Sequence, residues 1–333
     1  MNKLVFKLFY SSAVFLLLAM TTIFMSGCIQ NMTGKTTAVP NETAKNPEIY
    51  FCPRENCSKV LENDINSANF SVYCAVYDID LKNVISALAQ KSKSVDVKMV
   101  MDNSNQEGQI KGDGVRIDDD NQLMHNKFCV IDKKVVITGS FNPTYNDNSL
   151  NNNNIVVVYS TALADNYEQE FEELWNGQFG KGSNVRHHVL YVNNIKMENY
   201  FCPEDKCASQ IINLIKSAKG SIYFMSYSFT NGEIADSLIK KSSLDVKGIF
   251  DSSQSSSKFS QFKRLQSFGI DVKKDKNQYK MHHKVFIIDN ETVATGSFNP
   301  TLGADTKNDE NLLIMHDKKI AEAFLKELDN LWK

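Results

Sequence analysis

Residues 124–144 read MHNKFCVIDKKVVITGSFNPT, and residues 281–301 read MHHKVFIIDNETVATGSFNPT. The two stretches begin 157 positions apart, and Thr138–Thr144 recurs without change as Thr295–Thr301. In each stretch a lysine and an aspartate enclose four apolar residues, which is typical of a buried β-strand that ends in a turn. Two long copies of one pattern indicate that the chain is built from a duplicated unit.

The duplication extends well beyond these two stretches. Phe51–Cys57 reads FCPRENC and recurs as FCPEDKC at Phe201–Cys207, and Asp102 recurs as Asp251 after a similar apolar run. Strand-like and helical segments alternate through each copy, which predicts an α/β protein. We expect tandem duplicated units, each a mixed β-sheet flanked by helices, packed around a pseudo-two-fold axis. The predicted organisation is a first unit at 47–180, a connector at 181–196 and a second unit at 197–333.

The N-terminal segment has the form of an export signal. Met1–Cys28 contains Lys3 and Lys7, then an almost wholly apolar run at Ala13–Met25, and it ends in Ser-Gly-Cys. These are the three parts of a secretory signal. The ending resembles a lipoprotein processing site, in which Cys28 becomes the lipid-bearing first residue, and an uncleaved membrane anchor is the alternative. Residues 29–46, rich in Thr, Asn and Lys, are expected to form a flexible tether.

Both alternatives predict an exported protein, either anchored to the outer face of the cytoplasmic membrane or secreted. The cysteines agree with an oxidising compartment, because Cys52 and Cys57 have the same spacing as Cys202 and Cys207. A local disulfide in each unit is the prediction, and a four-cysteine zinc site is the alternative. Cys74 and Cys129 lie in apolar strand-like runs and are expected to be buried small side chains, with a bridge between them left open.

The candidate catalytic groups come from the pattern His-x-Lys, followed after four residues by Asp. Its two copies are His125, Lys127 and Asp132, and His282, Lys284 and Asp289. Residues two apart on a strand share a face, so each His and its Lys are expected to point into one site. Each Asp falls out of phase with its Lys and is interpreted as a structural ion-pair or turn residue. His283 faces the other way and is expected to be a packing or surface residue.

Together with the Gly-Ser-x-Asn that follows it, this pattern resembles the signature of the phospholipase D superfamily. Both copies match in full, and the repeat covers nearly all of residues 47–333. The unit size and the segment Lys307–Asn311 look closest to the compact secreted endonuclease branch, which forms its site from two subunits. Here one chain carries both halves, so we expect a monomer with a pseudo-dimeric site.

The resemblance implies a two-step reaction that needs no metal and no cofactor. One histidine attacks phosphorus to form a phosphohistidine, and the other protonates the leaving oxygen and then activates water or an alcohol. The two lysines would hold the phosphoryl oxygens. Further hydrogen bonds to the substrate phosphate would come from the matching turns, at Ser140, Asn142, Ser297 and Asn299.

The two units are not equivalent in the acid that supports a histidine. Glu310 stands 28 residues after His282, whereas Asn153 stands 28 residues after His125. In the family this position orients a catalytic histidine, usually that of the opposite half, and a carboxylate there raises imidazole basicity. We therefore expect Glu310 to support His125 as the nucleophile, and His282 to act as acid and base with only Asn153 as partner.

The partner is expected to be a phosphodiester substrate of one of two classes. Without Lys3 and Lys7 the chain has 35 basic and 39 acidic residues, a net charge of −4, which is unlike a basic nucleic-acid footprint. The leading interpretation is nonetheless an exported nuclease for DNA or RNA, with a local basic rim at Lys273, Lys274, Lys276 and Lys280. The alternative is a membrane-anchored phospholipase D that hydrolyses phosphatidylcholine or cardiolipin, or transfers phosphatidyl groups. A third hypothesis, from another class, is an inactive binding module that kept the fold.

Overall fold

The computed structural model describes residues 38–105 and 112–333. The predicted export segment, with its lipidation site Cys28, and the first half of the predicted tether lie outside these residues. Within the described ranges, no helix is both long enough and apolar enough to span a bilayer.

Strands and helices alternate through the described part of the first half. Its strands are β1 (Asn41–Glu42), β2 (Glu48–Cys52), β3 (Ser71–Val76), β4 (Asp96–Met101), β5 (Val115–Ile117), β6 (Lys127–Ile131), β7 (Val135–Gly139) and β8 (Asn153–Tyr159). Its helices are α1 (Cys57–Ser67), α2 (Lys82–Lys91), α3 (Tyr145–Ser149) and α4 (Thr161–Trp175). Side chains of Asn56, Thr144 and Ser160 accept hydrogen bonds from first-turn N–H groups, which fixes where α1, α3 and α4 begin.

The second half repeats this order. Its strands are β9 (Val189–Val192), β10 (Ile195–Cys202), β11 (Ser221–Ser226), β12 (Asp245–Phe250), β13 (Asp271–Lys274), β14 (Lys284–Ile288), β15 (Thr292–Gly296) and β16 (Glu310–His316). Its helices are α5 (Cys207–Ser217), α6 (Gly232–Ile239), α7 (Phe262–Ser267), α8 (Leu302–Thr306) and α9 (Lys318–Trp332). Helix α7 lies between Asp251 and His282. This segment is longer than its counterpart in the first unit.

Two mixed sheets have the same strand order. The first sheet runs β2-β8-β7-β6-β3-β4-β5, and the second runs β1-β9-β10-β16-β15-β14-β11-β12-β13. After β1 and β9, the strands of the second sheet therefore follow the order of the first. In both sheets the pairs on the far edge are parallel and the pairs around the motif strand are antiparallel. The predicted α/β fold of tandem duplicated units is confirmed.

A shared core joins the two halves and explains the apolar motif strands. On β6, Phe128 and Val130 belong to this shared core, whereas Cys129 and Ile131 belong to the core of the first half on the other face. Strand β14 alternates in the same way between the shared core and the core of the second half. Both motif strands are buried on both faces, which is why their sequences are continuous apolar runs.

The closing helices tie each unit to the other. Helix α4 packs on the first sheet and also contacts β10, and helix α9 packs on the second sheet and also contacts β2. Such reciprocal contacts are those expected of a pseudo-two-fold arrangement.

The sequence predicted too much irregular structure in two places. Residues 181–196, predicted as a connector, contain β9 and the first residues of β10. The end of the predicted tether forms β1, in which Asn41 pairs in parallel with Tyr191. The physical reason is burial, because Leu190 and Val192 of β9 enter the shared core, and the exposed edge of that strand then pairs with the preceding chain.

The six cysteines of the described residues are all paired. Cys52–Cys57 and Cys202–Cys207 form the two predicted local disulfides, and the zinc alternative is thereby wrong. Cys74 and Cys129 form a third disulfide, although the sequence favoured separate buried thiols. They lie opposite each other on the antiparallel strands β3 and β6, with their Cα atoms 4.1 Å apart, so the two side chains meet on the same face of the sheet.

Candidate active site

The two predicted motifs meet where the two units touch. The backbone N–H of His125 donates to the carbonyl oxygen of Asp309 at 3.0 Å, and that of His282 donates to the carbonyl oxygen of Asn152 at 2.8 Å. Asn152 and Asp309 immediately precede β8 and β16. Each histidine is therefore held at the start of a strand that belongs to the opposite unit.

Two buried aspartates fix the backbone in front of each histidine. Asp102 Oδ2 accepts a hydrogen bond from the N–H of Met124 at 2.9 Å, and Asp251 Oδ2 accepts one from the N–H of Met281 at 3.0 Å. These aspartates recur as a pair in the sequence, but the pattern alone predicted no role for them. The structure assigns them to the support of the two motifs.

The predicted lysines lie in the same buried cluster as the histidines. Lys127 Nζ donates to the carbonyl oxygen of His125 at 2.7 Å, and Lys284 Nζ donates to that of His282 at 2.9 Å. Each lysine is 3% exposed. Burial lowers the pKa of Lys127 to about 8, although Glu310 opposes this, and burial and the charge of Lys127 lower the pKa of Lys284 well below its usual value. An anion in the cleft would restore both charges, as a phosphate site requires.

His125 faces the predicted carboxylate of the other unit. Its Nδ1 lies 2.8 Å from Glu310 Oε2, which also accepts a hydrogen bond from the Ser297 hydroxyl at 2.6 Å. Burial raises the pKa of Glu310 to about 8, although Lys127 and Lys284 oppose the rise. Burial and the same two lysines lower the pKa of His125 well below its usual value. The predicted contact between Glu310 and the histidine of the opposite unit is thus present.

His282 faces the predicted Asn153 and also a carboxylate that the sequence analysis missed. Its Nδ1 lies 2.9 Å from Asn153 Oδ1 and 3.4 Å from Asp147 Oδ2. Burial and the charge of Lys284 lower the pKa of His282 to about 3. A comparison of the two copies could have pointed to Asp147, because the equivalent residue of the second copy, 157 positions later, is Ala304 and carries no carboxylate.

Two tyrosines related by the repeat form a wall of the site. The ring of Tyr77 meets His125 edge to face, with centroids 4.9 Å apart, and the ring of Tyr227 meets His282 in the same way at 4.9 Å. Lys127 Nζ lies 5.0 Å from the centroid of Tyr77, within the range of a cation–π contact. These rings screen the charged groups from water on one side.

Three of the four predicted phosphate donors are already hydrogen-bonded within the protein. The Ser140 hydroxyl donates to Asn154 Oδ1 at 3.2 Å, the Ser297 hydroxyl donates to Glu310, and Asn142 Nδ2 donates to Asp147 at 2.8 Å. The fourth residue, Asn299, keeps a buried Oδ1 that accepts no hydrogen bond among the described residues. Contact of these four side chains with a substrate phosphate stays a prediction.

Asp132 and Asp289 occupy turns away from the histidines. Both have a positive φ, and each accepts hydrogen bonds from three successive N–H groups, at residues 69–71 for Asp132 and at residues 219–221 for Asp289. This arrangement agrees with the predicted turn role, because a short polar side chain both tolerates the left-handed conformation and ties down the neighbouring loop.

His283 is fully buried and packs away from the site. Its Nδ1 lies 3.1 Å from Asn154 Oδ1, and its Nε2 lies 3.2 Å from Glu327 Oε1. Asn126, at the equivalent position of the first unit, contacts Asn311 and Glu170 in the same manner. The expectation of a packing histidine agrees with this geometry.

Comparison with known proteins gives matches in both units. The family model described as "Cardiolipin synthase, PLD-like domain" matches residues 61–175 and 211–332. A phospholipase D of Rickettsia conorii is 37% identical over 144 residues, which cover 42% of this chain and 72% of that protein. A mitochondrial cardiolipin hydrolase of Xenopus laevis is 31% identical over 142 residues, which cover 41% of this chain and 68% of that protein.

Solved structures include relatives of one unit and of both. The phosphatidylserine synthase of Haemophilus influenzae Rd KW20 covers 85% of each chain with a TM-score of 0.64 and 13% identity, which shows a common fold across both units. Nuc from Salmonella typhimurium, a phospholipase D family member, is 35% identical, with a TM-score of 0.39, and covers 41% of this chain and 94% of its own.

Proposed function

The chain belongs to the phospholipase D superfamily of phosphodiesterases, and from this premise we propose that it hydrolyses phospholipid headgroup esters through a phosphohistidine. The observation that carries the proposal is the buried pair of histidines. Each presents Nδ1 to an acceptor of the opposite unit, which leaves Nε2 for chemistry, and each lies beside a buried lysine.

In the first step, Nε2 of His125 attacks phosphorus while the bond to the leaving oxygen breaks. The reaction uses the tautomer of His125 with its hydrogen on Nδ1, 2.8 Å from Glu310 Oε2, in which the Nε2 lone pair is available for the new N–P bond. The negative charge of the bound phosphate favours the imidazolium form of His282, which gives its Nε2 proton to the leaving oxygen, so the headgroup departs as a neutral alcohol. Lys127 and Lys284 stabilise the phosphoryl oxygens, and they supply the positive charge that such a transition state needs.

In the second step, the same groups act in reverse on water. His282, now neutral, removes a proton from the water molecule whose oxygen attacks phosphorus. The N–P bond breaks, phosphatidic acid is released, and His125 recovers its lone pair. An alcohol in place of water would give transfer rather than hydrolysis.

Two observations favour a phospholipid as the substrate. Relatives that match about two fifths of this chain are named phospholipase D and cardiolipin hydrolase. Three large apolar side chains are also exposed within a few residues of the site motifs, namely Tyr145 and Leu302 at the first turns of α3 and α8, and Tyr279 shortly before His282. In this proposal the three side chains contact acyl chains or a lipid surface, which they suit better than a nucleic-acid backbone.

Nucleic acid is the second candidate substrate, and the observation that favours it is the position of Lys280. This lysine is exposed, and its Nζ lies 5.7 Å from the centroid of the Tyr227 ring beside the site. Two other lysines of the predicted rim already make contacts within the protein. Lys273 lies over the Trp332 ring, and Lys276 contacts the carbonyl oxygen of Lys333. The predicted basic rim is therefore weaker than the sequence implied.

Export to the outer face of the cytoplasmic membrane is part of the proposal. The export segment and Cys28 lie outside the described residues, so its support comes from the sequence and from the three disulfides. Disulfides at this density are characteristic of proteins in oxidising compartments.

A side-by-side assay tests the proposal. The purified protein is incubated in excess EDTA with phosphatidylcholine vesicles, cardiolipin vesicles, plasmid DNA and RNA, and each product is measured. We expect release of headgroup and phosphatidic acid, and none from the His125→Ala variant. Cleavage of nucleic acid alone would replace the lipid by the second candidate, and activity that EDTA abolishes would contradict the metal-independent mechanism.

The pH dependence of kcat/KM follows from the buried lysine. Lys127 has a pKa of about 8, so its charge is present below that pH and is lost as the pH rises through it. We expect kcat/KM to fall by roughly tenfold per pH unit above pH 8, and a pH–rate profile checks this. A profile that stays flat to pH 10 would show that Lys127 keeps its proton.

A further inference from the structure

The two units carry an acidic residue near the partner histidine on different elements. In the second unit it is Glu310, the first residue of β16, and the residue on α8 is Ala304. In the first unit the acid lies on the helix and not on the strand. The first residue of β8 is Asn153, and the acid is Asp147 on α3. One carboxylate therefore stands near each histidine, although the strand position of the first unit carries an asparagine in place of the acid.

Asp147 is held rigidly with one oxygen toward His282. It is 3% exposed. Its Oδ2 accepts hydrogen bonds from the backbone N–H and the side-chain Nδ2 of Asn142, both at 2.8 Å, and its Oδ1 accepts one from Asn151 Nδ2 at 2.6 Å. Although burial opposes it, these donors and His282 hold the pKa of Asp147 below its usual value, so this carboxylate is ionised.

Asn153 has a different task, which is to select the tautomer of His282. Its Nδ2 donates to the carbonyl oxygens of Asp147 at 3.1 Å and Asn151 at 3.2 Å. The amide is therefore oriented with Oδ1 toward Nδ1 of His282, and an amide oxygen can only accept there. The hydrogen lies on Nδ1, and Nε2 remains available for proton transfer.

We propose that Asp147 is the positioning residue of His282, and that it stabilises the imidazolium form as Glu310 does for His125. The two duties that one glutamate combines in the second unit are divided in the first between Asp147, which supplies charge, and Asn153, which fixes the tautomer. This inference rests on the proposed function, because it assigns a role within the same site.

The first test compares Asp147→Asn with a matched control. Asp305→Asn changes an acid on α8, the equivalent helix, where it accepts a hydrogen bond from the N–H of Ala208 at 2.8 Å. The residue at that position of α3 is already Asn148, which accepts from Ser58 in the same way. We expect Asp147→Asn to lower kcat roughly 10- to 100-fold with little change in KM, and Asp305→Asn to stay within about twofold of wild type.

The nature of the leaving group separates a positioning role from a structural one. A protonated His282 matters most when the leaving oxygen is a poor one, as in dioctanoyl phosphatidylcholine. With bis(p-nitrophenyl) phosphate, the leaving group departs without a proton. The loss caused by Asp147→Asn should therefore be larger for the first compound. An equal loss on both compounds, or a loss confined to the melting temperature, would overturn the proposal.

A rescue experiment asks whether charge itself is what Asp147 supplies. Asp147→Ala combined with Asn153→Glu gives the first unit the arrangement of the second, and should recover activity to within about tenfold of wild type. The mirror pair, Glu310→Asn with Ala304→Asp, should recover most of what Glu310→Asn loses.

The outcomes distinguish this inference from the function on which it rests. If wild type is active, His125→Ala is inactive and neither Asp147→Asn nor the rescue pairs behave as expected, only the role of Asp147 is wrong. If wild type cleaves none of the phosphodiesters, the proposed function fails and the assignment of Asp147 fails with it.

Discussion

Alanine in place of His125 should lower kcat by roughly four orders of magnitude, because it removes both the nucleophile and the partner of Glu310. No other group in the cluster can take over the N–P bond, since the second histidine is needed for proton transfer. The measurement is kcat on the phosphodiester that wild type cleaves, with the melting temperature recorded in parallel. A variant that keeps a tenth of the activity would contradict the assignment of His125 as nucleophile.

The matched control is His283→Asn. His283 lies in the same motif but packs against Glu327 and Asn154 on the far side of the strand, and Asn is the residue that the first unit has at this position. We expect this variant to lose some stability and to keep kcat within a few-fold of wild type. A loss as large as that of His125→Ala would mean that any change in the motif destroys the site.

Trapping the intermediate identifies the nucleophile directly. In His282→Ala, an activated ester should still react with His125, but the second step lacks its base, so the covalent phosphoryl group accumulates. Acid quenching followed by peptide mapping should then find it on His125. Label on His282 in the His125→Ala variant would reverse the two roles.

Methionine in place of Lys284 should lower kcat/KM roughly 10²- to 10³-fold, the second largest effect that we expect. A buried cation beside the phosphoryl oxygens acts in a water-poor cluster, and the loss of one such group typically costs this much. Methionine keeps the length and the apolar stem and removes only the ammonium group, whose Nζ lies 5.3 Å from the centroid of the Tyr227 ring. Steady-state kinetics on the vesicle substrate gives kcat/KM for the variant and for wild type.

Lys280→Met is the control for a general effect of charge. Lys280 and Lys284 lie against the same Tyr227 ring, but Lys280 is exposed and Lys284 is buried. On lipid vesicles we expect the exposed lysine to matter by no more than about threefold, because solvent and salt screen it. A loss of tenfold or more with DNA, steep in salt, would instead support a nucleic-acid substrate.

Much of the fold and of the site was predictable because the information is local or repeated. The pattern around His125 and His282 gave the motif strands, their order relative to the turns and the pairing of each histidine with a lysine. The duplication then gave two units and one shared site. Comparison of the two copies identified Glu310 and Asn153 as equivalent, and the resemblance to the family implied that they would face the opposite histidines. The distances of 2.8 Å and 2.9 Å agree with this.

The sequence by itself therefore determined the family, the two-unit fold and the catalytic candidates, since a strand of period two and an in-phase repeat fix which side chains share a face. Only the tertiary structure decided the role of Asp147, the Cys74–Cys129 bridge and the pairing of β1 with β9. Each of these depends on how two segments distant in the chain approach each other. Approach is set by packing across the shared core, and no local pattern of residues encodes it.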